Sequence, residues 1–299
     1  MVLETEKPNF LDASCCKVDV VKGGVGFFSV GFFVTDITLY FELKNSFIKD
    51  SKNPREILHI NFLKGALGWR MKRAQHESNL KKALGKNTNK LAIFDATAGL
   101  LTDTMIFLSL GHKVVAVEQS KILFSLVNDA IFRAEKDIPE LKNLKFINQE
   151  MTKNINTKFD AVFNFFTSFG YLDHKYNYDT VENISKNLNS GGLFIIDFLN
   201  HKFVRDNIIH REEKIINNIK FNIHRYIKED CIYKEISFFD NKNEYNFTEK
   251  VMLLDTRDFE NYFLKNNLKT INIYGDYKLS DFDIDKSPRL IIISKKNPV

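Results

Sequence analysis

Two acids at the ends of apolar runs, Asp95 and Glu118, carry the clearest chemistry in this chain. Asp95 opens a small-residue turn, Asp95-Ala-Thr-Ala-Gly99, in which Ala96, Ala98 and Gly99 leave room for a ligand to approach the backbone. Glu118 ends the run Lys113-Val-Val-Ala-Val-Glu118, 19 residues past Gly99. That is close to the ~20 residues separating a glycine turn from a ribose-holding carboxylate in nucleotide-binding α/β units. An ionised carboxylate accepts from both ribose hydroxyls at once. The turn lacks G-x-G-x-x-G spacing, and its one glycine suits a nucleoside better than a pyrophosphate. The pattern points to S-adenosyl-L-methionine (SAM) rather than NAD.

Asp95 either binds the methionine amine of such a cofactor or pins the backbone and caps the following helix. That helix carries Asp103 in its first turn, which is taken as part of the cofactor site. Downstream, Asn164 ends another apolar run and is followed by Phe165-Phe-Thr-Ser-Phe-Gly-Tyr171, then Asp173 and His174. Asn164, Tyr171 and His174 are the candidate catalytic residues, since histidine titrates near neutrality and can take a proton, and Asn164 is also taken as part of the cofactor site. Asp197 and Asn200 close a later strand and are expected to shape the substrate mouth. The cluster Arg70, Lys72, Arg73 reads either as a set of RNA phosphate anchors or as a solvated helix face.

The elements that position these residues alternate. Strands are expected over 91–95, 113–118, 144–148, 159–164 and 193–199, with helices over 101–110, 120–135 and 177–188 between them. Such alternation predicts α/β architecture: a doubly wound, Rossmann-like, mostly parallel sheet. After Asn200 the pattern changes to strands over 219–228, 231–239 and 244–254. They are expected to form a late antiparallel insertion (203–254), read either as a lid or substrate wall or as simple structural padding. A helix at 256–267 and strands at 269–275 and 289–294 complete the fold. Upstream, short strands (16–21, 26–34, 36–43, 58–62), turns at Gly23-Gly24 and Asn53-Pro54, and a helix over 68–84 define a small N-terminal α/β segment. The expected domains are 1–85 and 86–299.

Bulk properties exclude several classes. Among 299 residues, 44% are hydrophobic and 27% charged, ordinary for a globular chain. The net charge of +5 permits RNA contact without requiring it. Three cysteines, Cys15, Cys16 and Cys231, form no disulfide framework and fit a reducing cytoplasm. The histidines lack metal-ligand spacing, and no apolar run reaches the ~18 residues of a membrane span. No metal and no membrane partner are expected.

Two resemblances sharpen this reading. Residues from about 37 to 135 resemble the small-subunit ribosomal RNA guanine-N2 methyltransferase family. The match rests on Asn61-Phe-Leu-Lys-Gly-Ala-Leu-Gly-Trp-Arg-Met-Lys72, on Phe94-Asp-Ala-Thr-Ala-Gly-Leu100 with Asp103, and on Val117-Glu118. Leu101 stands where that family has glycine. From about 144 onward the chain resembles small SAM-dependent methyltransferases with an antiparallel insertion. The carrying residues are Asn148-Gln-Glu-Met151, Phe159–Tyr171, Gly191–Asn200 and Ser287-Pro-Arg-Leu-Ile-Ile. The second resemblance implies that Glu150 faces the adenine amine and Met151 packs on the base. Guanine-N2 enzymes carry Asp-Pro at the strand end occupied here by Asn164 and Phe165, so the departure counts against that activity. The expectation is methyl transfer from SAM to a small-molecule acceptor. The alternatives are guanine-N2 methylation of ribosomal RNA and SAM binding without transfer.

Overall fold

A computed structural model of the chain describes residues 37–42, 45–50, 57–58, 60–85, 90–216, 219–240 and 243–298. The strands expected at 16–21 and 26–34, the turns at Gly23-Gly24 and Asn53-Pro54, and Cys15 and Cys16 lie outside the described residues. The chain divides into two compact units, Met1–Lys153 with Phe159–Phe163, and Asn154–Lys158 with Asn164–Val299.

The first unit opens with a small antiparallel sheet, β1 (Ile37–Glu42), β2 (Asn45–Asp50) and β3 (Ile57–Leu58). The strand expected over 58–62 stops early: Asn61 instead turns the chain, its side chain accepting the Leu63 N–H at 3.0 Å. The single helix expected over 68–84 is two, α1 (Gly65–Lys72) and α2 (Ser78–Ala83), separated by a 3₁₀ turn at Ala74–His76. Ser78 and Asn79 favour helix starts over interiors, because their side chains compete for backbone bonds.

The alternation then follows the sequence closely: β4 (Ala92–Asp95), α3 (Thr102–Ser109), β5 (Lys113–Glu118), α4 (Lys121–Ala134), β6 (Leu144–Asn148) and β7 (Phe159–Asn164). The strands lie in the order β7-β4-β5-β6, all parallel. Parallel strands are covered on both faces, so they read as continuous apolar runs rather than alternating ones. Residues 104–108 of α3 are all fully buried, and Phe107 meets Phe163 with ring centroids 4.6 Å apart. Ser120 caps α4 by accepting the Leu123 N–H.

The second unit holds α5 (His174–Asn187), β8 (Leu188–Leu199), α6 (His201–Asp206), β9 (Arg211–Ile216), β10 (Ile219–Lys228), β11 (Cys231–Asp240), β12 (Asn243–Met252), α7 (Thr256–Lys265), β13 (Leu268–Tyr274) and β14 (Arg289–Lys296). Helix α5 starts three residues before its expected position because Asp173 caps it, accepting the Tyr176 N–H at 2.8 Å. Strand β8 runs back through Gly191-Gly192 instead of starting after them. Strands β9 to β12 form an antiparallel meander whose first strand the sequence pattern did not reveal. Strands β8, β14 and β13 pair antiparallel, with Ile195 opposite Ile293 and Ile196 opposite Ile292. An Asp255–Asp258 capping box starts α7. Phe169, Phe198, Phe259 and Tyr262 pack around one another as this unit's aromatic core. Among the described residues no helix is long and apolar enough to cross a membrane.

Candidate functional site

In the first unit, the expected cofactor residues converge on the turn between β4 and α3. Asp95 is 5% exposed, and its carboxylate accepts the Thr97 N–H at 3.2 Å and the Thr104 hydroxyl at 2.6 Å. It therefore pins the turn to both its own backbone and α3. The Ala96 N–H donates to the Phe163 carbonyl, and the Ala98 N–H to the Val117 carbonyl, so the turn is stitched to β7 and β5. Gly99 has φ +51°, and a Cβ there would meet no protein atom within 4 Å. The turn thus presents bare backbone beside open space. Leu101 has φ +61° and is fully buried, so a residue that favours negative φ holds the position for which glycine is suited.

Glu118 stands at the end of β5 and is 3% exposed. Its carboxylate accepts the Ser120 N–H at 2.7 Å, with further backbone donation from Gly99 and Gln119. Burial pushes its pKa up to about 7, against those backbone bonds, and the charge of Asp95 adds to the rise. No arginine or lysine is paired with it among the described salt bridges. The turn after β6 is tied to the same corner: the Gln149 N–H and the Asn148 side chain both donate to the Glu118 carbonyl. Glu150 and Met151 sit in this turn, Glu150 exposed and Met151 half-buried. Asp103, in the first turn of α3, has its carboxylate bonded by Arg70. That group lies 3.4 Å from both terminal nitrogens of Arg70, which also bonds Glu77 at 3.0 Å. Arg70 therefore braces α1 against α3 and is not an open phosphate anchor, whereas Lys72 and Arg73 are exposed.

In the second unit, Asn164 is fully buried at the end of β7, Tyr171 is half-buried and His174 is exposed. His174 Nδ1 lies 2.6 Å from the Tyr262 hydroxyl, and Asp173 caps α5 instead of pairing with it. His174 lines a cavity of about 380 Å³ with His201, Arg205, Asp230 and Asp255.

The sequence pointed to Asp197 but not to its partners Arg289 and Tyr277, with which it forms a buried polar network. Asp197, 1% exposed, receives Arg289 Nε at 2.8 Å on one oxygen, and the Tyr277 hydroxyl (3.0 Å) and the Phe166 N–H (2.9 Å) on the other. Arg289 Nη2 also donates to the Thr167 hydroxyl at 2.9 Å, and the Thr167 N–H to the Asp197 carbonyl. This network holds Phe166 and Thr167 both at φ +58°, an outlying conformation for a bulky and a β-branched residue. Asn200, paired with Asp197 in the sequence reading, serves a different end: it ties the Ile284 and Ser287 carbonyls at 2.8 Å each. The signal for Arg289 lay in the string Ser287-Pro-Arg-Leu-Ile-Ile, whose arginine could be noticed but not assigned a partner.

Comparison with known proteins agrees with this architecture. The family model described as "Putative SAM-dependent methyltransferase" matches residues 35–186, half of the chain. The Ribosomal RNA small subunit methyltransferase J of Francisella philomiragia is 30% identical over 132 residues, 42% of this chain and 54% of that protein. Its counterpart from Nitrosococcus oceani is 36% identical over 81 residues, 26% of this chain and 32% of that protein. The chain thus spans about half or less of the length of these curated relatives. A SAM-dependent methyltransferase from Clostridium acetobutylicum superposes with a TM-score of 0.62 at 18% identity, covering 76% of this chain and 92% of that one. A SAM-bound amino pentose methyltransferase from Micromonospora echinaspora gives a TM-score of 0.55 at 13% identity, covering 77% and 92%. The structural neighbours show a common α/β methyltransferase fold, and the family match settles the affiliation: this chain belongs to the SAM-dependent methyltransferases.

Proposed function

We propose that the chain transfers the methyl group of SAM to a base of RNA. Two features of the first unit support the cofactor reading: bare backbone at Gly99 faces open space, and a buried carboxylate with no cationic partner among the described residues stands at the adjoining strand end. In this reading Glu118 holds the ribose hydroxyls. The Ala96–Gly99 backbone accommodates the nucleoside, and Glu150 with Met151 borders the adenine. Asp95 acts through the turn by pinning it. Bound SAM supplies an electrophilic methyl on a sulfonium, a leaving group that needs no acid. The protein's task is then alignment of the acceptor, from which proximity yields much of the rate. No proton transfer is assigned to His174, whose Nδ1 is held by Tyr262.

One observation carries the choice of RNA. Residues 60–85 hold six basic side chains against a single acid, Glu77, an excess equal to the net +5 of the whole chain. Arg70 ties this segment to Asp103, four residues past Gly99. Charge so concentrated beside the cofactor turn is what a phosphate backbone requires. The names of the curated relatives are consistent with it. A small-molecule acceptor is the second reading. It is favoured by the corner at Asn164-Phe165-Phe166, which has neither the acid nor the proline of the resembled guanine-N2 enzymes.

The test is incubation with methyl-labelled SAM and both ribosomal RNA and a low-molecular-weight extract. Label in RNA that falls when Lys72 and Arg73 become alanine supports the first reading. Label confined to small molecules overturns it in favour of the second.

A further inference from the structure

Trp69 is the only tryptophan of the chain, and it is 61% exposed. Its helix cannot roll to bury it. Gly68 is the buried residue of α1, and Arg70 fastens the helix to Asp103 of α3 as well as to Glu77. One turn further on, the Arg73 guanidinium lies over the indole, 4.8 Å from its centroid. Lys64, Arg73 and Lys82 are exposed on the same segment. Lys72 is exposed too and shares a cavity wall with Asp137 and Glu140.

A large flat ring kept in water, with a planar cation stacked on it and further cations around it, matches the chemistry that holds unpaired nucleotides. Bases stack on aromatic faces, arginine adds a cation–π contact, and lysines track the phosphates. A duplex keeps its bases stacked on each other and offers no free face. We propose that α1 is a docking platform for single-stranded RNA, with Trp69 stacking on one unpaired base and Arg73 and Lys64 holding its flanking phosphates. The proposal rests on the RNA reading given above and names where on the first unit the strand is held.

The single tryptophan makes the test direct. The full chain is titrated with decauridylate while Trp69 emission is followed, and labelled decauridylate is followed in parallel by anisotropy. Expected is a saturable change in emission, with binding that weakens with salt by about 0.7 log units per log unit for each phosphate held. Trp69→Ala should weaken binding about 5- to 150-fold, as loss of one stacked base does, and Trp69→Phe should restore most of it. Being exposed, position 69 tolerates both changes without loss of fold, which circular dichroism verifies. Binding that leaves Trp69 emission unchanged, a Trp69→Ala variant that binds like the parent, or equal affinity for a ten-base-pair RNA duplex would each overturn the platform. The outcome is separable from the RNA reading itself. Methylated RNA without any Trp69 response removes the platform and leaves the activity. A Trp69 response with label only in small molecules removes the activity and leaves a docking surface.

Discussion

The two units bury their acids in opposite ways. In the first, Asp95 and Glu118 are held by backbone N–H groups and a threonine hydroxyl from residues close in the chain, and no described cation reaches Glu118. In the second, Asp197 is neutralised outright by Arg289 and further bonded by Tyr277. A carboxylate held by amides alone keeps affinity for more donors, and burial without a counter-charge is what raises Glu118 to about 7. A carboxylate bonded to a guanidinium, a phenol and an amide has little capacity left. The first arrangement is the one proposed to receive a ligand; the second holds a shape, namely the left-handed backbone at Phe166 and Thr167.

Breaking the second arrangement should have the larger effect. Asp197→Ala leaves Arg289 buried without its counter-charge, and loss of one partner from such a pair costs about 3–5 kcal/mol. Arg289→Met should cost a comparable amount. The double variant Asp197→Leu with Arg289→Met should recover part of the loss, because it removes both desolvated charges. Urea unfolding of the three variants checks this. Equal, fully additive losses would show that the pair is not coupled.

The first arrangement is sharpened by pH. Glu118 titrates near 4.5 when unfolded and near 7 when folded, so the folded state holds its proton more tightly. Its contribution is fully present below pH 4.5 and is lost as pH rises through 7, about 3 kcal/mol in all. Glu118→Gln should flatten that part of the stability profile between pH 4.5 and 8. Ribose hydroxyls donate to the ionised form, so S-adenosylhomocysteine should bind more tightly as pH rises through 7. Titration calorimetry in buffers of different ionisation enthalpy should show a proton released. Binding that is independent of pH would remove Glu118 from the ribose.

The same contrast explains what the sequence made legible. Asp95, the alanine–glycine turn and Glu118 could be read because their spacing is local, and because parallel strands leave uninterrupted apolar runs between punctuating residues. Strands β5, β6 and β7 fall on their expected residues for that reason. Arg289 meets Asp197 across 92 residues, Tyr277 across 80, and Tyr262 meets His174 across 88. Pairings of that range leave no periodicity, so a residue type can be noticed while its partner stays hidden. The partner of Asp103 is hidden for a related reason: nothing in the spacing says that Arg70, 33 residues earlier, bonds its carboxylate. Strand β9 was missed because Arg211-Glu-Glu-Lys reads as a charged loop until β10 supplies its hydrogen bonds.

Smaller effects distinguish the two strained backbones. Leu101→Gly relieves about 1–2 kcal/mol of left-handed strain. It also deletes a fully buried side chain, a change worth about 2–5 kcal/mol even when alanine is left behind. The expected result is a net loss of about 1–3 kcal/mol, read by urea unfolding. A stabilised variant would mean that the side chain fills no real core and that glycine is the better residue here.

Thr167 should behave differently, because its side chain is held by a bond and not by packing. Thr167→Gly removes the hydroxyl that accepts from Arg289, a charge-assisted bond worth about 1.5–3 kcal/mol, and relieves strain of about 1–2 kcal/mol. The two nearly cancel, so stability should change by less than about 1 kcal/mol. Thr167→Ala loses the same bond and keeps the strain, so it should be the less stable of the pair. A difference of opposite sign would mean that the Asp197–Arg289 network does not impose the left-handed turn. The corner after Asn164 would then owe its shape to the aromatic packing of Phe169 instead.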